Sequence, residues 1–276
     1  MRSKRLGLAV LPALAILAVA TPSAAANNCK NLWCQSSNDW ADSGFGSSYS
    51  LWTGIETKAD HPGDAAFDST YLKAGAELNV SAKVLGKRAS IADVSAIAFN
   101  NQGTTSGGIE IVAAGSVLYS NGFENAKTYG FDRTLIKASD SIKILGVKVH
   151  LDGKVTGGLG VTVSPSLQND TIELAATPFT NAYAKVSASV GAACASVGVS
   201  GSMTAIDLEV PSSASASFGA NGLGFAVSSR YDLQALDGKI KVKVKVCGSS
   251  KSKTLASFNG LRSSSNLLNE SGTISL

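Results

Sequence analysis

Leu236-Asp-Gly-Lys-Ile-Lys-Val-Lys-Val-Lys-Val-Cys247 alternates apolar and charged residues without a fault. Successive strand side chains point to opposite faces. Ile240, Val242, Val244 and Val246 therefore form a dry face, and Lys239, Lys241, Lys243 and Lys245 a wet one. A helix would turn by about 100° per residue and spread the lysines around its whole circumference. Asp237-Gly238 predicts a hairpin turn just before the strand, because both residues accept positive φ. Leu151-Asp-Gly-Lys-Val155 repeats that pattern. With no regular period it reads as a second ordinary Asp-Gly turn rather than a duplication.

Much of the chain follows the same grammar. Leu78, Val80, Ala82 and Val84 alternate with polar residues, and apolar runs at 91–99 and 109–119 end at Asn100-Asn101 and Asn121-Gly122. Asn-Gly is a strong hairpin signal. Ile142, Ile144, Val147, Val149 and Leu151 slip phase at Leu145-Gly146, which predicts a bulge. Residues 183–203 are rich in Ala, Ser, Gly and Val, small side chains that let sheets approach closely. Charged residues make up only 16% of the chain and Gly is abundant. The expected fold is all-β, a large antiparallel meander arranged as a sandwich or an elongated, partly closed barrel, with a small Cys/Trp-rich N-terminal segment. The expected divisions are 1–26, a leader; 27–70, the Cys/Trp-rich segment and a loop; 71–262, the β domain; and 263–276, a tail that frays.

Arg2, Lys4 and Arg5 precede an apolar run from Leu6 to Ala20, and Ala24-Ala25-Ala26 offers a small-residue cleavage site. That is the pattern of a secretory signal peptide cleaved near Ala26. The run is shorter than the roughly 20 residues needed to span a bilayer. The expected location is secreted: extracellular, periplasmic or on the outer surface. Taking the three leader charges from 24 basic residues leaves 21 against 20 acidic ones, so the formal charge of +4 falls to +1. A nucleic-acid partner then has no support from net charge. Four cysteines in an oxidising compartment predict disulfides. The favoured pairs are Cys29–Cys34, a short loop, and Cys194–Cys247, which would pin two distant strands. Zinc is disfavoured, because no Cys-x-x-Cys occurs.

All three tryptophans, Trp33, Trp40 and Trp52, lie near the N-terminus. They could form a ligand platform for sugar, but capping of the β core is the commoner use of such rings. Asp60, His61, Asp64 and Asp68 lack the spacing of an EF-hand, so they read as a solvated loop. His150 neighbours Lys148 on a wet strand face and reads as a surface histidine. Gly198-Val-Ser-Gly-Ser202 falls short of a nucleophile elbow, and neither a zinc-protease motif nor a phosphate loop is present. No catalytic residue, metal ligand or cofactor is therefore assigned.

The leading expectation is a secreted, non-enzymatic β protein of a cell surface or extracellular matrix, adhesive or structural. Its partner would be cell-surface polysaccharide or another protein. One alternative is a membrane-inserting β-barrel, for which the Ala- and Val-rich rows and missing aromatic girdles are a poor match. Another is a polysaccharide hydrolase or glycan-binding protein, with acidic residues meeting beside the tryptophans. The ridge Lys239–Lys245 could capture an anionic surface. Its favoured role is to keep a wet strand soluble and discourage edge pairing.

Overall fold

A computed structural model describes residues 26–30, 32–41, 44–57, 71–101, 104–123, 125–144, 147–168, 171–192, 195–219, 222–246 and 249–274. They form two antiparallel sheets and, among the described residues, no helix. The first sheet is a meander in chain order: β1 (Ala26–Cys29), β2 (Trp33–Ala41), β3 (Gly46–Thr57), β4 (Tyr71–Val84), β5 (Lys87–Asn101), β6 (Thr104–Ala113) and β7 (Ser116–Gly122). The Cys/Trp-rich segment is thus built into a sheet, β2 and β3 pairing onward to β4. Tight turns at Leu85-Gly86 and Ala114-Gly115 place both residues at positive φ, the geometry that matches hairpin twist. Asn121-Gly122 ends the last strand of this sheet instead of making a hairpin within it.

The second sheet holds β8 (Lys127–Ile144), β9 (Val147–Gln168), β10 (Thr171–Ala192), β11 (Ala195–Glu209), β12 (Ser212–Gly219), β13 (Gly222–Val246) and β14 (Ser249–Ile274). β11 and β12 share one lane between β10 and β13. The pairs Phe179↔Glu209 and Ala176↔Ser212 keep one register across the gap. The break falls at Val210-Pro211 for a local reason. Pro178 accepts from Val210 N and Pro211 accepts from Arg230 N, but neither proline can return an N–H. Ser212 Oγ donates to the Val210 carbonyl at 3.2 Å and supplies the missing bond. Residues 263–274, expected as a fraying tail, continue β14 and pair with β13 as far as Leu223↔Ile274.

The two Asp-Gly pairs do not turn the chain. β9 runs straight through Asp152-Gly153, and β13 through Asp237-Gly238. Both pairs have partners on either side, and that pairing outweighs the local turn preference. At Leu236 (φ 52°) positive φ instead makes a local irregularity. The partners on β11 skip from Thr204↔Asp237 to Ile206↔Ala235, and on β14 from Asp237↔Asn259 to Ala235↔Leu261. Leu135 on β8 is an extra residue near the same level. These irregularities lie at one level on β8, β11, β13 and β14 and mark a crease there, while β9 and β10 run through it without an extra residue. An extra residue shifts the inward positions along its own strand by one while the pairing resumes in register. Leu233 and Ala235 are buried before the crease, Ile240 and Val242 after it. The bulge expected at Leu145-Gly146 falls on residues outside the described ones. β8 and β9 end on the pair Ile144↔Val147.

The sheets stack face to face, so the sandwich is the observed form of the all-β fold. β10 packs on β4 and β5, β9 on β5 and β6, and β13 on β3. Leu51, Ile55, Leu72, Leu78 and Ile111 meet Leu159, Ile172, Leu174 and Leu208 in one core. Ala74, Ala76, Ala96, Ala98, Ala182 and Ala184 keep the layers close. One end is aromatic: Trp40 lies 5.6 Å from Tyr49, and Tyr49 lies 6.2 Å from Tyr231. Cys29 and Cys34 form a disulfide between paired residues of β1 and β2. Cys194 and Cys247 lie outside the described residues, while their chain neighbours Ala195 and Val246 are paired.

Candidate functional site

The lysine ridge of β13 does not stand alone. Strand register carries Lys239 across the sheet to Ser202 on β11, then to Lys185, Lys154 and Lys137 on β10, β9 and β8. The adjacent row runs Lys241, Ser200, Ser187, Asp152, Ser139. Directly paired residues point to the same side, so both rows share the outer face. Together they line an open trough of about 1100 Å³, which among the described residues has five lysines and the single carboxylate of Asp152. Lys243 and Lys245 are exposed on the same face but lie beyond its wall.

The trough is backed from inside. Leu85, at the β4–β5 turn, reaches the inner side of Gly153, where an added Cβ would come within 2.9 Å of Leu85 Cδ1. Lys87 Nζ donates to the Lys137 carbonyl at 3.3 Å and ties that turn to β8. Glycine at 153 thus admits a support that any side chain would displace.

Beyond the crease the same face changes sign. One row holds Asp132, Asn181, Asp207, Gln234 and Arg262, and the next pairs Glu209 with Asp232. Arg230 meets Asp232 at 3.0 Å. Burial pushes the Asp207 carboxyl above the ordinary aspartate range. The outer face of the second sheet therefore differs across the crease, lysines prevailing on one side with Asp152 among them and carboxylates on the other with Arg230 and Arg262 among them.

The tryptophans are not brought to one surface. Trp40 points into the core at 3% exposure. Trp33 and Trp52 both point outward from the first sheet, on diagonal positions of β2 and β3. Trp52 is 8% exposed and has Lys73 Nζ 4.2 Å from its ring centre; Trp33 is half-buried, with Lys30 Nζ at 5.1 Å. Lys73 also meets Glu77 at 2.7 Å and Glu56 at 3.9 Å. Acidic residues do stand beside a tryptophan, but two of them are engaged with a lysine that caps the ring.

Three carboxylates crowd the same outer surface. Burial raises the Asp93 carboxyl above its ordinary range, and the charges of Glu110 and Glu77 raise it further. Because its folded pKa exceeds the unfolded one, the native state holds the extra proton between the two values. Stability then falls as pH rises through that window and carries the full penalty at neutral pH. Asp93→Asn is expected to raise the melting temperature at pH 7 and to lose that advantage below the ordinary carboxylate range. Melting curves across pH check it, and an equal effect at all pH values would contradict it. At Asp39 the sign is opposite. Its two hydrogen bonds from Arg88, 2.7 and 2.8 Å, hold the carboxyl below the usual range.

His150 is exposed, with Nε2 3.7 Å from Asp152 Oδ1. The acidic loop at Asp60, His61, Asp64 and Asp68 lies outside the described residues. Among the described residues no group of three or more His, Cys, Asp or Glu is placed to hold a metal ion, and no helix is long and apolar enough to cross a membrane. No known protein family and no curated protein matches the chain. Sequence reading missed Lys137, Lys154 and Lys185. Each sits between residues of the opposite, inward facing, which marks a wet face, but nothing local says that three separate strands will align them.

Proposed function

We propose that the protein is a secreted, non-enzymatic β-sandwich that attaches to an anionic polymer of a cell surface or extracellular matrix through the lysine trough. The observation that carries this reading is the convergence of Lys137, Lys154, Lys185, Lys239 and Lys241 on one concavity with a single acid among the described residues. Solubility alone asks for scattered charge of both signs. Like charges on directly opposed strand positions destabilise a sheet, so alignment of Lys137, Lys154 and Lys185 works against the fold and fits a ligand that neutralises them. The serines of the floor offer donors and acceptors to hydroxyl groups. The disulfide is compatible with an oxidising location.

The test is retention of the purified protein on immobilised alginate and on immobilised dextran, an acidic and a neutral polysaccharide. Retention on alginate at low salt is expected, with loss as ionic strength rises and the Debye length shrinks to about 8 Å. Lys154→Gln/Lys185→Gln should weaken retention several-fold, with the circular dichroism spectrum unchanged. Equal retention on both matrices, or none on either, would overturn the proposal and return the lysines to a solubility role.

A further inference from the structure

We infer that the ligand lies across the strands, and that it is an extended chain of linked uronic acids with one carboxylate per sugar. This rests on the reading of the trough as an anion-binding face. Lys137, Lys154 and Lys185 occupy successive lanes, Ser202 the fourth and Lys239 the fifth. Adjacent lanes are about 4.8 Å apart, so the row presents positive charge at nearly every step over about 19 Å. An extended pyranuronate chain advances by close to one such step per sugar. Carboxylates along the chain then meet the lysines of four lanes, Ser202 takes the fifth contact, and the sugar hydroxyls meet the neighbouring serines.

The alternative course, along β13 past Lys241, Lys243 and Lys245, has two faults. Lys243 and Lys245 lie outside the concavity. In the other direction an anionic chain would cross the crease and meet Asp207, Glu209 and Asp232. Those carboxylates fence one side of the trough and leave the cross-strand course open.

The trough also selects against single-stranded nucleic acid. Among the described residues its lining contains no aromatic ring, and single strands are ordinarily held by base stacking on such rings.

The experiment is calorimetric titration of the full chain with oligouronates of two to eight sugars at low salt. Affinity is expected to climb with length and level off at about five sugars, the number of lanes in the row. Lys137→Gln/Lys154→Gln/Lys185→Gln should lower affinity for the longer chains by about tenfold or more. Lys243→Gln/Lys245→Gln should lower it by less than about threefold, and both variants should keep the wild-type melting temperature within a few degrees. If the second variant loses as much as the first, or if oligothymidylate binds as tightly as the uronates, the cross-strand uronate assignment is wrong while anion binding stands. If no anionic chain binds at any length, both this assignment and the proposed function fail.

Discussion

Leu78→Ala is expected to destabilise the protein by about 2–5 kcal/mol, the range for deleting a fully buried leucine from a core that relaxes only in part. Leu78 is 0% exposed on β4, the strand on which β10 packs. Its neighbours on the inner face include Ala76 and Val80 on its own strand and Val94 on β5. Alanines cannot reach across to fill the void, so collapse is limited by the backbone spacing of the two sheets. For a chain of this length each kcal/mol shifts the melting temperature by roughly 2–4 °C. Urea unfolding should show the loss as a shifted midpoint with an unchanged slope. A loss under about 1 kcal/mol would mean that the layers close over the gap, and the account of a core held by alanine spacing would be wrong.

The sequence displays the inward rows well and the outward arrangement poorly. Ile240 and Val242 announce a buried face because strand period is local, and they are buried. The small residues of β4, β5 and β10 announce close sheets for the same reason. What local reading cannot supply is register between strands far apart in the chain. Lys137 and Lys239 are about a hundred positions apart and meet in one row only because four intervening pairings hold. Turn chemistry misleads where tertiary pairing outweighs it. Asp-Gly at 152–153 and 237–238 has the composition of a hairpin, but each pair lies inside a strand bonded on both sides. Trp52 misleads in another way. A tryptophan on an outer strand face suggests an open platform, and only the structure shows Lys73 resting on the ring.

Gly238→Val is expected to have the second large effect, and a different one. Gly238 sits at φ 156° just past Leu236, where β13 resumes its pairing after the crease. An added Cβ would stand 2.6 Å from Met203 Cβ and close on the backbone of Ser202. Neither neighbour can yield, since Met203 is 4% exposed and the Ser202 backbone is paired on both sides, with Lys185 and Lys239. Strained backbone and overpacking together should cost about 2 kcal/mol or more. Relief requires β11 and β13 to part at the crease, and Ser202 and Lys239 would then leave the line set by Lys137, Lys154 and Lys185. Leu78→Ala and Gly238→Val thus separate two roles. The first should lower stability yet leave oligouronate affinity unchanged at temperatures where the protein remains folded. The second should lower both. Calorimetric titration of the two variants, at a temperature well below either midpoint, decides the matter. Wild-type affinity in a destabilised Gly238→Val would show that the crease holds the fold without shaping the trough.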